Sequence, residues 1–220
     1  MANADKTGAK TAPRRPRLNG PAVMLAVVVL VGVGFLAARS WFGSEPAAGY
    51  VTSAGQASIG GPFTLVDQDG KTVTDRDFQG RWLLVYFGYT YCPDVCPTSL
   101  ARNAEALDLL GPRGDAVVPV LITVDPQRDT PEKMKDYVHY FHPRTVGLTG
   151  TPQQVAAVAK DYRVFYMKVE REDPSAYLMD HSSFTYLVGP DGKFVQFFRH
   201  EATPQEVADG LKKALAGAAG

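Results

Sequence analysis

Residues 81–110, "RWLLVYFGYTYCPDVCPTSLARNAEALDLL", constrain what this chain can fold into more than any other stretch. The opening run, Arg81–Tyr89, is apolar almost without a break, as a strand must be when both of its faces are buried. The closing run, Thr98–Leu110, returns apolar residues at helical spacing. A short loop joins strand to helix. It carries the chain's two cysteines, Cys92 and Cys96, bracketed by Pro93 and Pro97.

The flanking segments supply the rest of a sheet. "PFTLVDQDGKTVT" reads as two alternating runs around an Asp69-Gly70 turn, a hairpin signal. "AVVPVLITVD" is a second buried strand. Thr130-Pro131, Thr151-Pro152 and Thr203-Pro204 each pair a capping Thr with a Pro at the first helical position, and so predict three further helices. Between them lie a strand around "RVFYMKV" and a hairpin, "FTYLVGPDGKFVQFF", turning at Asp191-Gly192. The order predicts an α/β fold: a central sheet with helices on both faces, the thioredoxin-like arrangement with an extra N-terminal hairpin. In such folds the loop leaving the carboxyl end of a central strand is the usual site.

Ahead of this domain, Pro21–Ala38 is a run of 18 uncharged residues, roughly what a helix needs to cross a bilayer core. Lys6, Lys10, Arg14, Arg15 and Arg17 precede it against Asp5 alone, and Trp41 and Phe42 follow it. Positive charge on that flank puts the N-terminus in the cytoplasm and the domain outside. The expected organisation is a cytoplasmic tail (1–20), a single-pass inner-membrane anchor (21–38), a Gly/Ala/Ser-rich linker (39–60) and a periplasmic domain (61–218). A cleaved signal peptide is the rival reading, but no clear small-x-small cleavage site follows the apolar run. The formal charge of the whole chain is zero, so the part beyond the basic tail is mildly acidic. That excludes nucleic acid as the expected partner.

An exported domain meets an oxidising compartment. Two cysteines four residues apart close too small a loop for a disulfide to stabilise much. The pair suits chemistry better, and Cys96, near a helix N-terminus, is the expected thiolate. Disulfide exchange and metal binding both remain open on that ground. Of the four histidines, His139 and His142 share a face of the helix begun at Thr130, away from any strand end, and His200 ends the last hairpin. His181, in "LMDHSSFTYLVGPDG", precedes a central strand beside the cysteine loop. Cys92, Cys96 and His181 would then converge as a soft donor set, matched to Cu(I), and to Cu(II) with an added ligand. Asp180 is the candidate to orient the imidazole. "VDPQRDTPE" reads as a charged turn of Asp125, Arg128 and Asp129 that caps the next helix, or as a partner-docking segment or support for the site.

"YFGYTYCPDVCPTS", "VDPQRDTPE" and "DHSSFTYLVGPDG" together resemble the Sco/SenC family of membrane-anchored copper proteins that help to assemble cytochrome c oxidase. The resemblance spans roughly residues 60–200, with the three motifs in the family's order. It implies copper on Cys92, Cys96 and His181, and a recipient in the two-copper (CuA) centre of oxidase subunit II, with another copper chaperone as donor. It also implies a membrane-anchored monomer that carries copper rather than an enzyme. Tyr91 stands where some relatives have His, which removes an auxiliary ligand. The alternative is a thiol–disulfide oxidoreductase working through Cys92 and Cys96 as a redox-active pair. Ser183 argues against general exchange, because it occupies the place of the cis-proline that thioredoxin-type exchangers use. A thiol peroxidase is a third and weaker alternative.

Overall fold

The long apolar run does become the middle of a sheet. The computed structural model describes residues 59–173 and 176–217. Strand β3 (Trp82–Gly88) pairs in parallel with β4 (Val117–Thr123) and antiparallel with β8 (Thr185–Val188). The seven-stranded sheet has the order β2-β1-β5-β4-β3-β8-β9, with β1 (Thr64–Asp67), β2 (Thr72–Thr74), β5 (Val146–Thr149) and β9 (Phe194–Phe198) outside the central three. The N-terminal hairpin is present, as β1 and β2.

Alternation along β3 sends successive side chains to two cores. Leu84 joins Leu107 and Leu110 of α1 (Val95–Leu110), with Val207 and Leu211 of α4 (Pro204–Gly217). Phe87 faces the other way, towards Tyr162 just beyond α3 (Pro152–Asp161), whose Val155 and Val158 belong to the second core. Helix α2 (Pro131–Phe141) lays Met134 and Val138 over Gly147 of β5. Helices therefore cover both faces, as the element order predicts. The three Thr-Pro starts hold as well. Thr130 and Thr151 accept from Lys133 and Gln154 backbone N–H groups, and Thr203 and Glu206 cap each other's N–H.

Two elements differ from expectation. Strand β5 was not foreseen: "VGLT" is four residues long and carries no turn signal of its own. The strand in "RVFYMKV" is β6 (Tyr166–Val169), and it lies outside the main sheet. It pairs antiparallel with β7 (Leu178–His181) as a separate two-stranded ribbon. Phe165 and Met167 are exposed, so this strand lacks the two buried faces that a central position demands. His181 consequently ends a strand, where a loop was expected. Among the described residues no helix is long and apolar enough to cross a membrane. The apolar run 21–38, the tail before it and nearly all of the linker lie outside the described residues.

Candidate metal centre

The cysteine loop leaves the carboxyl end of β3 and turns at once into α1. The Cys92 N–H donates to the Tyr89 carbonyl (3.3 Å), and the helix opens at Val95 after the N-cap Asp94. Cys92 is half-buried and Cys96 fully buried, both as free thiols. Cys96 can turn inward because Gly88 has no side chain: a Cβ there would lie 2.9 Å from Cys96 Sγ. The Cys96 N–H, one of the unpaired donors of the helix N-terminus, points at Cys92 Sγ (3.4 Å).

His181 arrives from the ribbon, directly opposite Tyr166. Its Nε2 lies 3.2 Å from Cys96 Sγ, and its Nδ1 lies 3.1 Å from the Ser182 carbonyl. A carbonyl oxygen only accepts, so Nδ1 carries the proton and Nε2 turns its lone pair to the sulfurs. The rings of Tyr86 and Tyr89 stand edge-on to the imidazole at 6.0 and 5.9 Å. The ligand atoms of Cys92, Cys96 and His181 all lie within 4.8 Å of one another. Among the described residues this is the one group of three Cys, His, Asp or Glu side chains that could hold a metal ion.

The two thiols are unlike. A hydrogen bond from Cys96 lowers Cys92 to about 4, with help from the Asp94 and Cys96 N–H groups, against the cost of burial. Burial pushes Cys96 far above an ordinary thiol, and the charge on Cys92 pushes it further. The thiolate of the reduced protein is therefore Cys92. The expectation that Cys96 would hold the charge fails because the helix N-terminus donates to its neighbour's sulfur, while Cys96 itself faces the core.

The turn after β4 fixes both halves of the site. Asp129 is fully buried and accepts from the Thr90 N–H (3.0 Å), the Thr90 hydroxyl (2.6 Å) and the Thr123 hydroxyl (2.6 Å). It thereby ties the cysteine loop to the end of β4, and burial raises its pKa despite those donors. Arg128 pairs with Asp125, donates to the Tyr177 carbonyl (2.9 Å) and lies 3.5 Å over the Tyr177 ring. The Tyr177 hydroxyl donates to Asp125 (2.8 Å). Tyr177 immediately precedes β7, so the same turn anchors the ribbon that carries His181. Thr130, and not Asp129, caps α2. The support reading of "VDPQRDTPE" is the one that matches.

Other candidates fall elsewhere. His142 caps the end of α2 and accepts from the Arg144 N–H, so it does not share a helical face with the exposed His139. His200 pairs with Glu201 at the surface. Asp180 is exposed, and the Ser182 carbonyl orients the imidazole in its place. Tyr91 is half-exposed, with its hydroxyl accepting from Lys133. Gly88, Thr90 and Tyr177 were not singled out as a framework for the site. The signal available for them was a run of small and polar residues at two strand ends.

Residues 51–216 match the SCO1/SenC family model. The chain belongs to the SCO1/SenC family. Protein SenC of Rhodobacter capsulatus is 46% identical over 192 residues, 86% of each chain. Protein SCO1 homolog 1, mitochondrial, of Arabidopsis thaliana is 48% identical over 164 residues, and the match spans 74% of this chain but 49% of that one. The crystal structure of Arabidopsis thaliana ScoI with copper bound superposes with a TM-score of 0.70 at 45% identity, covering 73% of this chain and 99% of that chain. BsSco, a member of the Sco family of cytochrome c oxidase assembly proteins in which a disulfide switch has been identified, matches with a TM-score of 0.58 at 25% identity, over 74% of this chain and 96% of that one. The SCO1/SenC chain described here shares their thioredoxin-like α/β fold. It also has a Cys-Cys-His group able to hold the metal seen in the Arabidopsis structure.

Proposed function

We propose that this protein is a copper-binding assembly factor: it holds copper through Cys92, Cys96 and His181 and delivers it to, or prepares, the CuA centre of cytochrome c oxidase subunit II. The observation that carries the reading is the convergence of two sulfurs and one imidazole nitrogen within 4.8 Å. That donor set is soft, as Cu(I) prefers, and it accommodates Cu(II) with a further ligand. Bound copper supplies the cargo. The protein's own contribution is to pre-place one thiolate, to aim His181 Nε2 at the sulfurs, and to fix both segments through a single turn.

Oxidation of Cys92 and Cys96 to a disulfide removes both thiolates, so redox state governs loading. A second reading rests on the low pKa of Cys92. As a thiol reductant, the Cys92 thiolate attacks a partner disulfide and releases one partner thiolate. Cys96, losing its proton, then attacks Cys92 Sγ, which frees the second partner sulfur. Two electrons pass to the partner, and a Cys92–Cys96 disulfide remains. On either reading the basic tail and apolar run point to a single-pass inner-membrane anchor with the domain in the periplasm. The protein acts as a monomer and is charged by another copper chaperone.

Anaerobic copper titration of the reduced full chain tests the first reading. One copper per chain is expected, lost in Cys92→Ser and Cys96→Ser. Parent and variants that bind copper alike would transfer preference to the reductant.

A further inference from the structure

One hydroxyl at the site has no partner. Tyr86 is fully buried on β3, and its phenol oxygen is sealed from solvent without a hydrogen bond. Such a group costs about 1–3 kcal/mol where it sits. Its place is the informative part. Tyr86 and Gly88 are two residues apart on one strand, so they face the same side. A Cβ on Gly88 would lie 2.9 Å from Cys96 Sγ and equally 2.9 Å from Tyr86 Cε1. The missing side chain lets ring and sulfur close on one point. The same ring stands edge-on to His181. Cys96 and Ser99, one helical turn apart on α1, are the polar side chains beside the phenol, and neither is in hydrogen-bond geometry with it.

A thiol sulfur is a poor acceptor, whereas a ligating sulfur is an anion and a strong one. We propose that the Tyr86 O–H donates a hydrogen bond to the Cys96 sulfur when that sulfur ligates copper, so that copper binding gives this hydroxyl its partner. The inference rests on Cys96 being a copper ligand. Tyr86 is on this view a positioning residue: it favours the loaded state and draws electron density from the sulfur.

The test compares Tyr86→Phe with Tyr137→Phe in the full chain. Tyr137, on α2, also buries a hydroxyl without a partner, which makes it a matched deletion. In the reduced, metal-free protein, Tyr86→Phe should unfold no more easily than the parent. Its Cu(I) affinity should fall about tenfold, the loss expected for one hydrogen bond to a charged group. Its thiolate-to-Cu(II) absorption band should move to lower energy. Tyr137→Phe should keep the parent's affinity and band. Parental affinity and band in Tyr86→Phe, or equal losses in both variants, would overturn the proposal. A destabilised metal-free Tyr86→Phe would overturn it too, because the hydroxyl would then already have a partner without copper. A parent that binds no copper at all would reject the copper reading and this proposal together.

Discussion

Cys92 and Cys96 stand on the joint between a seven-residue buried strand and a sixteen-residue helix, whereas His181 ends a four-residue strand in a ribbon outside the main sheet. The sulfurs are placed by the core itself. Strand β3 is paired on both sides, the loop is clamped by Asp129, and Cys96 is packed against Gly88. The imidazole is placed by a two-stranded ribbon, an element that is marginal without outside support. Its outside support comes from Arg128 and Asp125 on Tyr177. The difference teaches a division of labour. The cysteine loop is the fixed holder of metal, and His181 is the ligand that yields when cargo enters or leaves.

The largest effect expected from this contrast is on the sulfurs. Cys92→Ser and Cys96→Ser should each abolish tight copper binding, read by competition with a Cu(I) chelator, because thiolates are the softer and stronger ligands. Retention of tight binding by either variant would break the contrast at its firmer end. Next comes the clamp. Asp129→Ala strands the Thr90 N–H and two hydroxyls in a buried place and should cost about 3 kcal/mol by denaturant unfolding. Arg128→Ala acts on the ribbon instead. It should leave global unfolding nearly unchanged, weaken copper binding about tenfold and speed amide exchange in β6 and β7 more than in β3 and β4. Equal acceleration in both regions would mean that they are held alike.

A third effect separates the two thiols. Thiolate absorbance of the reduced protein should show one thiolate at neutral pH, and alkylation there should modify Cys92 while sparing Cys96. The linkage follows from the same asymmetry. Cys92 in the folded state lies well below its unfolded value, so between about 4 and the ordinary thiol range the unfolded chain binds more protons. Stability of the reduced protein should therefore rise with pH across that window, relative to Cys92→Ser, and be lost as pH falls through about 4. Cys96 stays protonated in both states there and contributes nothing to the slope. The smallest effect belongs to the distant histidines. His139→Ala combined with His142→Ala should leave copper stoichiometry and affinity unchanged, since both lie away from the sulfurs.

The sheet's centre was legible because continuous apolar runs admit few alternatives, and the helix starts because Thr-Pro carries its own mechanism. The three converging residues were legible from their neighbours in sequence: a strand end for the cysteines and the approach to a strand for His181. What stayed hidden is what depends on direction. Nothing in the sequence says that Cys96 faces the core while its own N–H serves Cys92. The inward turn of Asp129 beside the capping Thr130 is hidden in the same way. The exposed Asp180 looked apt to orient His181, but strand alternation turns it away, and a backbone carbonyl serves instead. The ribbon escaped notice because β6 is only four residues long, with Met167 and Lys168 both exposed, and so short a segment reads equally as an edge of the main sheet.

Anaerobic Cu(I) titration of the full chain beside His181→Ala tests the division of labour most directly, with affinity and dissociation rate both measured. The account predicts that His181→Ala still binds one copper through Cys92 and Cys96, more weakly and with faster release, while neither cysteine variant binds tightly. A His181→Ala protein that binds and releases copper like the parent, or one that loses copper as completely as the cysteine variants, would contradict it.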